Sequence, residues 1–363
     1  MRVTGLTTRH VPVTRRGAWV FVEVQTDAGL TGTGEASHGG DDARTIAHLT
    51  GDLAPAIAGT DPRDVAATLA PLSRLGATRP GATALSAVEM ALWDLAAQAS
   101  GQSLARHLGG ARRPSLWLYA NINRSTWDRT PAGFAARARD AVAAGFDAVK
   151  LAPFDAVSRH LDRAETYAAI DQGIACVHAV RDAVGPTVQV LVDCHNRLTV
   201  PWAIRVAREL EAARLFWFED PVDVNDLDGW REVRTATGLT IAGGETFFGL
   251  RPFWELIRAR AVDVVMPDIK HCGGVAALAR IAAVAEAAGV QVAPHNPSGP
   301  VALAATAHVA ATLPSFTILE HAFGEVPWRE GLVEPTERLD GNRYVLSGAP
   351  GIGVRIREAG VPA

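Results

Sequence analysis

Between Asp193 and Glu320 the chain returns to an ionisable residue at nearly constant intervals. Short apolar runs end at Asp193 (VLVD), Glu219 (FWFE), Glu245 (IAGGE), Asp268 (VVMPD), His295 (VQVAPH) and Glu320 (TILE), in steps of 26, 26, 23, 27 and 25 residues. Each step has room for one strand and one helix. The clearest helix is GVAALARIAAVAEAAGV, where Val275, Leu278, Ile281, Ala282 and Ala285 share a face and Gly289 supplies the stop. Repeated strand–helix units of this length imply parallel strands. The run AVK ends at Lys150 in the same way, and with LWLYANIN as the first strand the count reaches eight, the number that closes a barrel. An open doubly wound sheet is the alternative, but its phosphate-binding glycine fingerprint is missing, and the glycines of PGIGVRI lie at the wrong end of the chain.

Upstream the pattern differs. WVFVEVQTDAGLTGTGEAS has a hairpin signal at Asp27, Ala28 and Gly29 between two strand-like runs. SAVEMALWDLAAQASG reads as a helix opened by a capping box of Ser86 and Glu89 and stopped at Gly101. Residues 1–113 are therefore expected to form an α+β domain, and residues 114–325 the barrel.

With 363 residues, 48% of them hydrophobic, the chain can bury one large core and a smaller one. Its 35 basic and 39 acidic residues leave a formal charge of −4, so no basic footprint points to nucleic acid or an anionic membrane, and an anionic ligand must be held by local charge. Cys176, Cys194 and Cys272 have no metal-binding spacing and fit a reducing compartment. MRVTGLTTRHVPV lacks the apolar core of a signal peptide, and no apolar stretch is long enough for a bilayer. A cytoplasmic location is expected.

In barrels of this kind the chemistry sits at the carboxyl ends of the strands. Clustering charged side chains inside a ring costs several kcal/mol per unpaired ion unless a metal or ligand compensates. Asp193, Glu219 and Glu245 would end consecutive strands about 4.8 Å apart, so their carboxylates can converge, and hard oxygen ligands favour Mg2+ over zinc. Pairing of these acids with arginines at the rim is the bland alternative. Lys150 would flank the cation. Asp268, one unit before His295, would orient that imidazole and raise its basicity. In VDCHNR an extended chain would point Asp193 and His195 to one side and Cys194 to the other. His195 and His295 belong to the third and seventh strands, opposite each other in an eight-stranded ring.

The motifs VDCHNR, FWFEDP, GGE, MPDIKHCGG and PHNPSGPVALAATAHVAA, with ILEH after them, resemble the mandelate racemase branch of the enolase superfamily; VEVQTDAGLTGTGEAS and SAVEMALWDL are similar to its capping domain. The resemblance implies a modified TIM barrel, (β/α)7β, with an N-terminal α+β cap completed by the C-terminal segment 326–363. It also implies Mg2+ on Asp193, Glu219 and Glu245, and removal of the proton α to a substrate carboxylate. Asp268 and His295 would be the base dyad, while Glu320 and Lys150 would stabilise the enediolate. Relatives assemble as dimers or octamers, so a homo-oligomer is expected. Where many relatives have Lys-x-Lys on the second strand, this chain has Lys150, Leu151 and Ala152, which removes the usual second base and argues against two-base racemisation. Asp268 stands where the muconate-lactonizing branch has a lysine.

An Asp-x-His on the third strand resembles acid-sugar dehydratases of this group. His195 would then help expel a β-hydroxyl after His295 takes the α-proton of an aldonate or aldarate, giving a 2-keto-3-deoxy acid. Epimerisation or lactone cycloisomerisation is the runner-up, and a catalytically silent metal-binding or interaction protein is the reading from another class. Candidates for reading the substrate are Asn296 and, in the cap, His10, Arg15, Arg16, Trp19 and His38. Arg197 either clamps a substrate group or braces the metal ligands, and Lys270 and His271 have no assigned role.

Overall fold

The computed structural model describes residues 1–15, 17–158 and 160–357. An antiparallel sheet opens the chain, with β1 (Val3–Thr14), β2 (Gly17–Thr26) and β3 (Thr31–Glu35) in that order and the β2–β3 turn where Asp27, Ala28 and Gly29 were expected to make it. The short helices α1 (Asp42–Ala47), α2 (Ala54–Ile57) and α3 (Val65–Leu69) lead to the long α4 (Arg79–Ala99), followed by α5 (Leu104–His107).

The capping box expected at Ser86 starts no helix. α4 begins earlier, capped by the Thr78 hydroxyl, with Pro80 in its first turn and Ala82, Ala84 and Ala87 buried along its length. Ser86 donates back to the Ala82 carbonyl at 2.7 Å. Glu89 reaches across to another helix, accepting the backbone N–H groups of Val275 and Ala276 at 2.6 and 3.0 Å. Both residues of the expected box lie in mid-helix, and Glu89 instead caps a helix far along the sequence.

Among the described residues, eight parallel strands follow: β4 (Ser115–Asn121), β5 (Ala148–Leu151), β6 (Gln189–Asp193), β7 (Trp217–Glu219), β8 (Ile241–Gly243), β9 (Val264–Val265), β10 (Gln291–Val292) and β11 (Leu319–Ala322). The helices between them are α6 (Pro131–Ala143), α7 (Arg163–Val184), α8 (Val200–Glu209), α9 (Leu227–Thr237), α10 (Leu250–Arg258), α11 (Gly274–Ala287) and α12 (Pro300–Ala310). Strands β4 to β10 pair in sequence and β11 pairs with β4. Between β10 and β11 the ring closes through Val292 N–H to Ser315 O and Thr317 N–H to Val292 O, both 2.9 Å. This is the (β/α)7β barrel. The face expected for α11 is the one it buries.

The remaining strands, β12 (Val333–Glu334), β13 (Leu339–Asp340), β14 (Arg343–Val345) and β15 (Arg355–Ile356), belong to the tail. β14 lies antiparallel on the early part of β4. Gly351 then exchanges backbone hydrogen bonds with Gln102 and Leu104 of the cap. No helix of the described residues is long and apolar enough to cross a membrane.

Strand alternation stacks the barrel interior in layers. One layer is an apolar plug of Tyr119, Ala148, Leu191, Trp217, Ala242, Val264, Met266, Ala293 and Ile318, with Tyr119 and Trp217 edge to face at 5.5 Å. Two residues beyond the plug, on the same side of the chain, stand Asn121, Lys150, Asp193, Glu219, Asp268, His295 and Glu320. Glu245 is the exception, three residues beyond Ala242. The extra residue is absorbed at Gly244, whose φ of 104° is open to glycine and strained for other residues.

Candidate active site

Asp193 and Glu219 are register partners on β6 and β7, and Glu245 follows β8. One carboxylate oxygen from each lies within 4.8 Å of the others. Burial and the charge of Asp193 push the Glu219 pKa well up against the pull of Lys150. Glu219 is thus an anion crowded by another in a buried place, whereas burial works against the Glu245 charge but the charge of His295 and its bond hold that carboxyl below the usual carboxylate range. The donor set is all oxygen, and each carboxylate is buried or nearly so. Such a cluster fits a hard divalent cation.

Lys150, on β5, places an ammonium against the triad. Its ammonium lies 2.8 Å from Glu219, 3.1 Å from Glu320 and 3.6 Å from Asp193, with 1% of the residue exposed. Burial disfavours its charge, but Glu219 and Glu320 more than compensate, and its pKa rises well above the lysine range. Glu320 also accepts from Asn121 Nδ2 at 2.6 Å and from the Asn296 backbone N–H at 2.8 Å.

Two histidines approach the triad from opposite strands. His295 Nδ1 is 2.7 Å from Asp268 Oδ2, and its Nε2 is 2.9 Å from Glu245 and 3.7 Å from Glu320. Burial opposes charge on this ring, but Glu245, Glu320 and the bond to Asp268 raise its pKa to about 10. Asp268 is itself gripped by Lys270 at 2.6 and 2.8 Å, which assigns Lys270 its place; burial works against the Asp268 charge, yet Lys270 and His271 hold the carboxyl well below its usual range. His271 faces the cap, with Nδ1 2.8 Å from the Thr83 hydroxyl and Arg79 at 3.3 Å from its Nε2.

His195 reaches the site by a route that alternation did not foresee. The strand stops at Asp193, and His195 and Asn196 turn left-handed, with φ of 47° and 57°. His195 Nε2 still comes to 3.0 Å from Asp193, because its backbone N–H is tied to Asp193 Oδ1 at 2.9 Å and its Nδ1 to Asp155 at 2.5 Å. Burial disfavours the charged ring, but Asp193 and Asp155 hold its pKa well above the ordinary value. Cys194 is buried, as expected of the residue facing away.

The substrate-reading candidates scatter. Asn296 is fully buried beside Glu320, with both side-chain polar atoms unpartnered among the described residues. His38 joins the barrel loop through Ser298 at 3.0 Å and leaves Nε2 unpartnered. Trp19 is wholly buried, edge-on to Trp328 at 5.5 Å beneath the Arg329 guanidinium. Arg15 stacks over Trp127 at 4.6 Å. His10 sits by Asp42 at 3.3 Å, away from the triad. Arg197 is exposed, with its charge felt at Asp155, and among the described residues it makes no ion pair with the triad. Arg16 lies outside the described residues.

Residues 5–109 match the mandelate racemase/muconate lactonizing enzyme N-terminal domain, and residues 133–360 match the enolase C-terminal domain-like family. The chain belongs to the mandelate racemase/muconate lactonizing enzyme family. Its similarity to a D-galactonate dehydratase of Ralstonia pickettii is 33% identity over 99% of this chain and 93% of the relative. A D-gluconate dehydratase of Thermoproteus tenax is 35% identical over 84% of this chain, which spans 61% of that relative's length. Among solved structures, a mandelate racemase/muconate lactonizing enzyme from Jannaschia sp. CCS1 superposes with a TM-score of 0.89 at 27% identity, covering 99% of this chain and 96% of that one.

In this member of the mandelate racemase family, three contributors escaped the sequence reading. Asp155 lies in the loop after β5 and partners His195. Asp220, beside Glu219, accepts from the Gly244 backbone at 3.0 Å and from Asn196 Nδ2 at 3.2 Å, bracing the glycine step before Glu245. Asn121 supports Glu320. For Asp220 and Asn121 a signal existed, namely adjacency to a strand end; Asp155 offered none.

Proposed function

We propose that this protein is a Mg2+-dependent acid-sugar dehydratase, which removes the proton α to the carboxylate of an aldonate or aldarate and eliminates the β-hydroxyl as water. The observation that carries this reading is the pair of imidazoles flanking one carboxylate triad, His195 at 3.0 Å from Asp193 and His295 at 2.9 Å from Glu245. The dehydratase names of the relatives support the same chemistry.

Asp193, Glu219 and Glu245 would hold the metal. Bound there, the dication supplies positive charge for the enediolate oxygens and offsets the Glu245 charge that keeps a proton on His295. His295 takes the α-proton at Nε2, with Nδ1 fixed by Asp268. Lys150, held 3.1 Å from Glu320, presents its ammonium to the oxygens that gain the electron pair. His195 delivers a proton to the β-hydroxyl as the C–O bond breaks. The enol so formed tautomerises to the 2-keto-3-deoxy acid. Ala152, at the position of a second lysine, leaves the face opposite His295 to His195.

Purified protein with Mg2+ and a panel led by D-galactonate and D-gluconate is expected to release a semicarbazide-reactive 2-keto acid. His295→Asn should lower that rate by about 10²–10⁴-fold. Products with an inverted stereocentre and no keto group would make it an epimerase, and absence of turnover with any carboxylate despite bound Mg2+ would make it a silent metal-binding protein.

A further inference from the structure

His195 sits at a backbone position that does not aim its side chain. After Asp193 the chain leaves the strand and takes a left-handed conformation at His195, so neither pleat nor helix spacing fixes the ring. Its Nε2 is 3.0 Å from Asp193, and from its other nitrogen a chain of hydrogen bonds runs away from the metal triad. Nδ1 meets Asp155 Oδ1 at 2.5 Å, and Asp155 Oδ2 accepts from Arg129 Nη2 at 2.7 Å. Arg129 is held in turn by the Ala152 carbonyl at 2.5 Å, by Asn123 and by the Phe134 ring at 4.7 Å from its guanidinium carbon, while its own carbonyl accepts from Gln172 at 3.1 Å. The turn carrying Asp155 is pinned by the buried Phe154, which packs so closely over Gly173 of α7 that a Cβ there would lie 2.3 Å from the ring.

We infer that Asp155, braced by Arg129, is a positioning residue for His195. It accepts Nδ1–H and so leaves Nε2 as the nitrogen turned towards the triad and the substrate's departing hydroxyl. This deepens the dehydratase reading and rests on it. The site then has two carboxylate–histidine pairs, Asp268 with His295 and Asp155 with His195, each with its carboxylate anchored by a cation, Lys270 in the first and Arg129 in the second. The anchors differ in consequence: Lys270 is wholly buried beside its partner, whereas Arg129 ties the β4–α6 loop to the β5–α7 loop.

The role predicts a specific failure in Asp155→Asn. Arg129 can only donate, so it takes the amide oxygen, which turns the amide N–H2 towards His195. Nδ1 must then accept, the wrong role for a ring that is to present Nε2–H from a protonated imidazole. In the Mg2+-loaded enzyme, keto-acid release should fall about 10²-fold while solvent deuterium still enters the α-position of recovered substrate at a rate within about threefold of wild type, because His295 is untouched. Arg129→Gln should lower release about tenfold with the same sparing of exchange. An activity-independent readout is the imidazole nitrogen spectrum, with His195 assigned by its loss in His195→Asn: Nδ1 should be protonated in wild type and unprotonated in Asp155→Asn. Parallel loss of exchange and release, loss of neither, or an unchanged Nδ1 signal would each overturn the proposal. A wild type that exchanges its α-proton but releases no keto acid would instead overturn the dehydratase reading, and the nitrogen spectrum would still decide the positioning role.

Discussion

Lys150 carries an electrostatic task inside the barrel wall. With Glu219, Glu320 and Asp193 all within 3.6 Å of its ammonium, it is the internal counter-charge that keeps three buried carboxylates tolerable before any cation arrives. Removing one partner of a buried ionic cluster strands the others, at about 3–5 kcal/mol. Lys150→Met is therefore expected to lose that much stability to denaturant in EDTA and to recover part of it in saturating Mg2+, because the metal replaces positive charge at the same carboxylates. An equal loss under both conditions would mean that the triad does not take the ion. The position was readable from AVK, since a lysine ending a run of core residues has nowhere to go but inward. Its partners were not all readable, because contacts between residues on nonadjacent strands depend on how the ring closes.

Two acidic residues of the cap act on whole elements of the barrel. α12 has no side-chain cap of its own, and Glu35 at the end of β3 supplies one, its two oxygens accepting from Gly299 and Ala302 at 2.8 Å each. Glu89 does the same for α11. These helices follow the loops bearing Asp268 and His295, so both carboxylates, favourable at helix N-termini, steady the segments that carry those two side chains. Gly299 is a glycine for this reason: a Cβ would lie 2.8 Å from Glu35 Oε2. Gly299→Ala should destabilise the protein by about 1–3 kcal/mol, and a double-mutant cycle with Glu35→Ala should show coupling of about 1 kcal/mol or more. A cycle that closes additively would separate the glycine from the carboxylate. The strand–helix count was legible because its period survives in one dimension. Glu35 and Glu89 were illegible as caps because their targets lie 264 to 267 and 186 to 187 residues away. Likewise β9 and β10 are only two residues long, so Asp268 and His295 stand beyond the paired strands rather than at their ends, joined by a bridge of their own.

At the scale of the molecule the chain runs from cap to barrel and back, and His308 on α12 sits where the three parts meet. Its Nδ1 accepts the Ala105 N–H of α5 at 3.3 Å, and its Nε2–H donates to the carbonyl of Ile352 in the tail at 3.1 Å. Both bonds are made at once only by the neutral ring, and burial lowers its pKa from 6.5 to about 4. The sign follows from which state binds the proton. Between pH 6.5 and about 4 the unfolded chain takes it up and the folded protein does not, so this contribution is fully present above pH 6.5 and is lost as pH falls through the folded pKa, by about 3 kcal/mol at most. The neighbouring Asp94, which accepts the Ile352 N–H at 2.8 Å, titrates with the opposite effect: burial raises its pKa to about 6, so its contribution weakens as pH rises. The wild-type curve therefore mixes opposing slopes, and the difference between variants isolates the histidine. His308→Gln keeps an acceptor and a donor without a titrating proton, so denaturant unfolding from pH 7 to 4.5 should show its stability falling less steeply than wild type, by up to one proton per molecule. Parallel curves would place the acid sensitivity of the cap–barrel–tail joint in some other group.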